Sequence, residues 1–260
     1  MKNYNELVNV KNNITKDFND PIIDNSLVNF ISGSSKMIRS DLAISYLKAY
    51  NIELNNDIYN ILSAGEIIHN ASLLHDDVID NAKTRRGITT ISEKFGAKIS
   101  ILAGDYLLSY AIEKLLSLNN NRILYLFKDC TKEMAEAEII QYFFRDKLPS
   151  LEEYIKICER KTAILFSTIL ESCAICSNLN SNEAKDLGLK FGIYFQIKND
   201  LNKESAFIDK LNGISTIKEI LGIEKTNSLL DNYSQDMKIL LKNLPNNIYR
   251  ESIEELFDNL

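Results

Sequence analysis

Apolar residues recur at spacings of three and four through most of the chain. Leu42, Ile44, Leu47 and Tyr50 show it, as do Ile58, Ile61, Leu62 and Gly65, and this is the period of an amphipathic helix. Strand-like alternation is rare. The pattern predicts helices over residues 3–17, 22–32, 37–50, 56–80, 90–95, 98–117, 120–143, 151–177, 182–203, 216–222, 225–242 and 248–258. The stretch from Ile61 to Val78 is apolar around most of its circumference, as a helix surrounded by other helices must be. Stretches 98–117 and 151–177 share that character. The expected architecture is therefore an all-α bundle with its chemistry on inward faces.

Composition narrows this picture. Three prolines and nine glycines leave little punctuation, and no Gly/Ser/Pro-rich stretch marks a linker, so residues 1–260 read as one domain of long helices. The net charge of −6 is dispersed, with lysines and arginines interspersed, and no basic patch suggests nucleic acid. No run reaches the roughly 18 consecutive apolar residues of a membrane span. The cysteines are Cys130, Cys158, Cys173 and Cys176, and the start is rich in Asn and Lys. Together these read as a cytoplasmic protein in a reducing compartment. Cys173 and Cys176 form a C-x-x-C, but with no second pair and no nearby histidine it reads as a buried helix face rather than a zinc or redox site.

The strongest chemical signal stands at the end of the central helix, in Asp76-Asp77-Val78-Ile79-Asp80. Asp76 and Asp80 are four residues apart, which puts both carboxylates on one face, about 6 Å apart by rise. Such a pair repels unless a cation bridges it. A cluster of oxygens with no cysteine or histidine triad suits a hard cation, and Mg²⁺ is the natural one. Mg²⁺ held by few carboxylates completes its shell with waters and substrate phosphates, so a diphosphate substrate follows. From the pentad alone, a solvated acidic helix end reads equally well. Arg85-Arg86-Gly87, a short turn beyond, favours the ligand reading, because guanidinium forks match phosphate oxygens.

The combination of Asp76–Asp80 with Arg85-Arg86-Gly87 resembles the first aspartate-rich region of the trans-isoprenyl (polyprenyl) diphosphate synthases, and further similarities run from Gly33 to about Thr216. Ser35-Lys36-Met37-Ile38-Arg39 resembles the family's Gly-Lys-x-x-Arg-Pro segment, with Ser40 in the place of proline. Ile68-His69-Asn70-Ala71-Ser72-Leu73 is similar to its histidine-bearing helix. Gly104-Asp105-Tyr106-Leu107-Leu108, Glu136-Ala137-Glu138-Ile139-Ile140-Gln141, Arg160-Lys161-Thr162-Ala163 and Tyr194-Phe195-Gln196 also fit.

The resemblance implies an isoprenoid-synthase-type bundle of about ten to twelve helices around a central cavity, a homodimer with helix 98–117 at its interface, and two or three Mg²⁺ ions. It implies that Lys36, Arg39, His69 and Arg86 bind the diphosphate of isopentenyl diphosphate. Asp76 and Asp80 would ligate Mg²⁺ on an allylic diphosphate, with Arg85, Lys161, Thr162 and Gln196 around that substrate. Taken alone, His69 reads as a core histidine and Lys161-Thr162 as a helix surface pair.

The reaction so implied joins the two substrates head to tail into a linear polyprenyl diphosphate with release of pyrophosphate. A helix rises about 1.5 Å per residue and gains about one isoprene unit per turn, so residues upstream of Asp76 would line the tunnel for the growing chain. Ala71 and Ser72 are small where short-chain members of the family carry aromatics, and Ala64, Gly65 and Ile68 lie further down. The expected product is longer than C20.

The second aspartate-rich region departs from the family pattern. It reads Asn199-Asp200-Leu201-Asn202-Lys203, leaving Asp200 as its one carboxylate and, by the resemblance, as a further Mg²⁺ ligand beside Asp76 and Asp80. Asn212-Gly213-Ile214-Ser215-Thr216 stands where a glycine-lysine element is usual. These departures keep a second reading open, a catalytically weak or non-catalytic subunit of a heteromeric synthase. A class I terpene cyclase fits less well, because Lys203 and Phe207 stand where those enzymes carry Ser or Thr and then Glu.

Overall fold

A computed structural model describes residues 3–16, 28–30, 36–85, 87–202 and 210–260. The expected helix at 22–32, Ser35, Arg86 and Lys203 fall partly or wholly outside the described residues. Twelve α-helices and one two-stranded hairpin are found among those described. The fold is all-α. By internal contacts the chain groups into two compact units, residues 1–44 with 54–124 and residues 45–53 with 125–260.

In the first unit, α1 (Tyr4–Thr15) buries Leu7, Val10 and Ile14, the i, i+3, i+7 stripe of an amphipathic helix. The next helix, α2 (Ile38–Ala49), begins in this unit. Its Ser40 is fully buried and donates through Oγ to the buried Glu66 carboxylate at 2.8 Å. Glu66 belongs to α3 (Asn56–Ile79), the long helix that carries the aspartate pentad. Asn55 caps α3 by accepting from the Ile58 amide, which satisfies one of the donors a helix start leaves open. From Ile61 to Ile68 α3 is buried throughout, as its all-round apolar pattern requires.

Beyond α3 come β1 (Thr84–Arg85) and β2 (Ile88–Thr89), paired antiparallel, then α4 (Ile91–Phe95) and α5 (Ala97–Leu116). Gly87 sits between the strands with φ of +77°, a conformation only glycine adopts without strain. Helix α5 packs on α3, and its Ser100 Oγ donates to the Leu74 carbonyl at 2.9 Å. Further along α5, a Cβ at Gly104 would come within 2.2 Å of His75 Nε2, so a larger residue there would have to push that ring aside.

The second unit holds most of α6 (Asn121–Phe143), followed by α7 (Leu151–Cys158) with a Ser150/Glu153 capping box. A π-helical turn (Glu159–Ala163) joins α7 to α8 (Ile164–Cys176). The expected single helix over 151–177 is thus interrupted by a widened turn, a feature that often marks functional sites. From Leu165 to Ala174 α8 is buried throughout. It packs closely on α9 (Ser181–Leu201), where a Cβ at Gly188 would lie 2.6 Å from Ser167 Cα and one at Gly192 would lie 2.4 Å from Ala163 Cα. Phe166 meets Phe191 and Phe195 at ring separations of 5.4 and 5.5 Å. Three further helices follow, α10 (Ile217–Leu221), α11 (Ile223–Lys242) and α12 (Ile248–Asp258). Tyr194 of α9 stacks on Phe257 of α12 at 4.0 Å. All four cysteines are free thiols, and Cys173 is fully buried. No described helix is long and apolar enough to cross a membrane.

Candidate active site

In the first unit the chemistry gathers at the C-terminal end of α3. The Asp80 amide bonds the Asp76 carbonyl at 2.8 Å, so the helical repeat continues through the pentad and sets both side chains on one face. Both are half-buried. Asp77 points elsewhere. Its carboxyl is fully buried and its Oδ1 accepts a hydrogen bond from Arg85 Nε–H at 2.7 Å, while its other oxygen, Oδ2, has no hydrogen-bond partner among the described residues. Burial pushes the Asp77 carboxyl above the usual carboxylate range, and the Arg85 guanidinium opposes that shift.

The pairing ties β1 to the end of α3. Thr90 strengthens the tie by donating to the Ala82 carbonyl at 2.7 Å. Arg85 is thus fixed through Nε, and its terminal nitrogens remain for other partners. Sequence reasoning placed Arg85 beside a substrate and gave Asp77 no role. The signal for the pair was their separation across a short turn, which no helical or strand period encodes.

Other expected residues of this unit lie on α2 and α3. Lys36 is exposed just ahead of α2, Arg39 is half-buried on it, and His69 is half-buried on α3. Ala71 is fully buried, and Ser72 donates to the His69 carbonyl at 2.8 Å. Asp105, in the family-like segment Gly104–Leu108, brings Oδ1 to 3.4 Å from His75 Nε2.

In the second unit a pocket is lined by Gln141, Tyr154, Lys161, Thr162, Gln196, Asp200 and Ser215, among others. It brings together the four expected residues Lys161, Thr162, Gln196 and Asp200. Thr162 Oγ1 donates to Gln196 Oε1 at 2.9 Å, and Gln196 Nε2 donates to Asp200 Oδ1 at 2.7 Å. Tyr154, unforeseen from the sequence, donates its hydroxyl to Asp200 Oδ2 at 2.7 Å. Burial raises the Asp200 carboxyl, and the bonds from Tyr154 and Gln196 oppose the rise. Burial also drives the Tyr154 hydroxyl strongly upward, so it remains a donor.

Lys161 Nζ donates to Gln141 Oε1 at 2.6 Å and forms an ion pair with Glu138. One residue earlier, Arg160 is clasped by Glu133 and Glu136. Four acidic and amide positions of α6 therefore hold the two cations of the π turn in place. Tyr154 lies seven residues before Lys161, about two helical turns away and on one side of the helix. That spacing was the available clue to it.

Residues 20–206 match the family described as polyprenyl synthetase. The chain belongs to the polyprenyl synthetase family. Among its relatives, a prenyl transferase of Cyanidium caldarium is 30% identical over 218 residues, covering 79% of this chain and 67% of that protein. The octaprenyl diphosphate synthase of Escherichia coli is 33% identical over 175 residues, covering 66% of this chain and 54% of that protein. The matched part thus spans between about half and two thirds of these curated relatives. Among solved structures, octaprenyl pyrophosphate synthase from Helicobacter pylori superposes with a TM-score of 0.84 at 26% identity, over 98% of this chain and 99% of that one. The family fold expected from the sequence is the one observed.

Proposed function

We propose that the protein is a trans-prenyltransferase that condenses isopentenyl diphosphate with an allylic diphosphate in a Mg²⁺-dependent reaction. The observation that carries this reading is the pair Asp76 and Asp80, one turn apart at the end of a buried helix in a chain of this family. The donor set suits Mg²⁺. It consists of two hard carboxylates one helical turn apart. The rest of the coordination shell would then come from water and substrate phosphate, which is how Mg²⁺ is commonly held. Asp76 and Asp80 would hold it there. When bound, it would stabilise the negative charge that develops on the departing diphosphate.

The chain's own residues would do the remaining work. Lys36, Arg39, His69 and Arg86 would bind the diphosphate of isopentenyl diphosphate. Arg85, with Nε anchored on Asp77, would offer its terminal nitrogens to phosphate oxygens. Lys161, Thr162 and Gln196 would contact the allylic substrate. The chemistry is cleavage of the allylic carbon–oxygen bond, formation of a carbon–carbon bond from the isopentenyl alkene, and loss of a proton to the departing pyrophosphate. Fixed polar groups stabilise that charge separation without reorganising.

The buried small side chains of α3, Ala71 with Gly65 and Ala64 below it, support a product longer than C20. Exposed Ile99, Leu102, Ile112 and Leu116 on α5 support a homodimer. Incubating the purified protein with Mg²⁺, an allylic primer and labelled isopentenyl diphosphate, and sizing the product, tests the reading. A ladder of prenyl diphosphates supports it. Asn199 and the positive Lys203 favour one other reading, a non-catalytic subunit, which predicts no pyrophosphate release by the protein alone and release once an active partner is added.

A further inference from the structure

The structure assigns Asp200 and Tyr154 to fixing the side chain of Gln196 and the hydroxyl of Thr162, and not to binding a metal. This assignment rests on the prenyltransferase reading above. The second aspartate-rich segment keeps a single carboxylate, Asp200, flanked by the neutral Asn199 and, in sequence, by Lys203. That carboxylate is only 5% exposed. Its Oδ1 accepts from Gln196 and its Oδ2 from Tyr154, both at 2.7 Å. Each oxygen of the carboxylate, which has about four lone-pair sites in all, is thus already engaged from inside the protein. Mg²⁺ demands near-octahedral ligands at about 2.0–2.1 Å and keeps several waters, and a buried carboxylate already held on both oxygens by Tyr154 and Gln196 gives it little room. The residues present do not fit a metal site.

They fit a directional relay instead. Asp200 lies one turn after Gln196 on α9, so the two side chains share a face. An ionised carboxylate only accepts hydrogen bonds, and it therefore selects the amide nitrogen of Gln196 over the amide oxygen. The oxygen must then face Thr162, and the Thr162 proton is committed to it at 2.9 Å. What remains for a substrate in this pocket is the second N–H of Gln196 and the lone pairs of Thr162. Tyr154, 6% exposed and 46 residues away in sequence, locks the carboxylate that sets this polarity. Tyr154 and Asp200 are positioning residues.

Manganese titrated into the protein with inorganic pyrophosphate, with free Mn²⁺ read by electron paramagnetic resonance, separates the alternatives. Asp200→Asn and Tyr154→Phe are expected to bind as many Mn²⁺ ions per chain as wild type, with affinity within about threefold, whereas Asp76→Asn weakens binding by about tenfold or more. Loss of a bound ion confined to Asp200→Asn overturns this assignment alone. Failure of the wild type to bind Mn²⁺ with pyrophosphate overturns the reading of function and the assignment with it. For the positioning role, Tyr154→Phe is expected to lower kcat by about tenfold with KM little changed, since small misplacements near reacting atoms lose up to about 10²-fold. Adding Tyr154→Phe to Gln196→Ala should then cause no further loss. Losses that multiply in the double variant contradict it.

Discussion

Arg85→Ala tests whether the clasp between the hairpin and α3 is structural. Asp77 is fully buried, and Arg85 Nε at 2.7 Å is its one ionic partner among the described residues. Removing one member of a sealed ion pair costs about 3–5 kcal/mol, because the remaining charge is left without compensation. Here the Arg85 side chain is 28% exposed, so water reaches part of the pair and the expected loss is about 2–4 kcal/mol. In a chain of this length that lowers Tm by about 5–15 °C.

The loss should also depend on pH. Burial raises the Asp77 carboxyl and Arg85 restrains it, so without Arg85 the folded-state pKa climbs further above its unfolded value. The ionisation penalty then grows as pH rises through that folded pKa. The gap between wild type and Arg85→Ala is therefore wide at neutral pH and narrows toward pH 4. Replacing Asp77 by Asn in the same background should recover at least half of the loss. Thermal melts followed by circular dichroism at several pH values measure all of this. A variant melting within about 1 °C of wild type at neutral pH would refute the argument.

Two further outcomes follow from packing. Ala71→Phe fills a fully buried small position of α3 and is expected to shorten the product, read by chromatography of the dephosphorylated alcohols; an unchanged product length removes Ala71 from the tunnel. Gly192→Ala places a Cβ 2.4 Å from Ala163 Cα, backbone that cannot swing aside, and should cost about 1–3 kcal/mol or more by urea denaturation. Because Ala163 adjoins Thr162, the same variant should also lower kcat, and full activity would show that the π turn tolerates the shift.

The long helices were legible because burial follows hydrophobic period. The all-round apolar run of α3 and the buried core of α8 both appear where the pattern placed them. So does the pentad at a helix end, since Asn55 and Asp80 bracket α3 within a residue of the expected bounds. Other features left no periodic trace. The hairpin has strands of two residues each, too short for alternation to register. The π turn at Glu159–Ala163 preserves the helical spacing of apolar residues on either side, so the sequence reads as one helix through it. The partners of Arg85 and Asp200 depend on contacts made by folding. Asp200 and Tyr154 are 46 residues apart, and nothing in either local sequence announces the other.

The central claim is that Asp76 and Asp80 hold the metal on which turnover depends, and kcat of Asp76→Ala under saturating Mg²⁺ and substrates tests it most directly. The account predicts a loss of at least about 10²–10³-fold, the scale seen when one preorganised charge-stabilising contact is removed, with Tm close to that of wild type. A correctly folded Asp76→Ala that turns over within about threefold of wild type, a change of less than about 1 kcal/mol in the barrier, would contradict it.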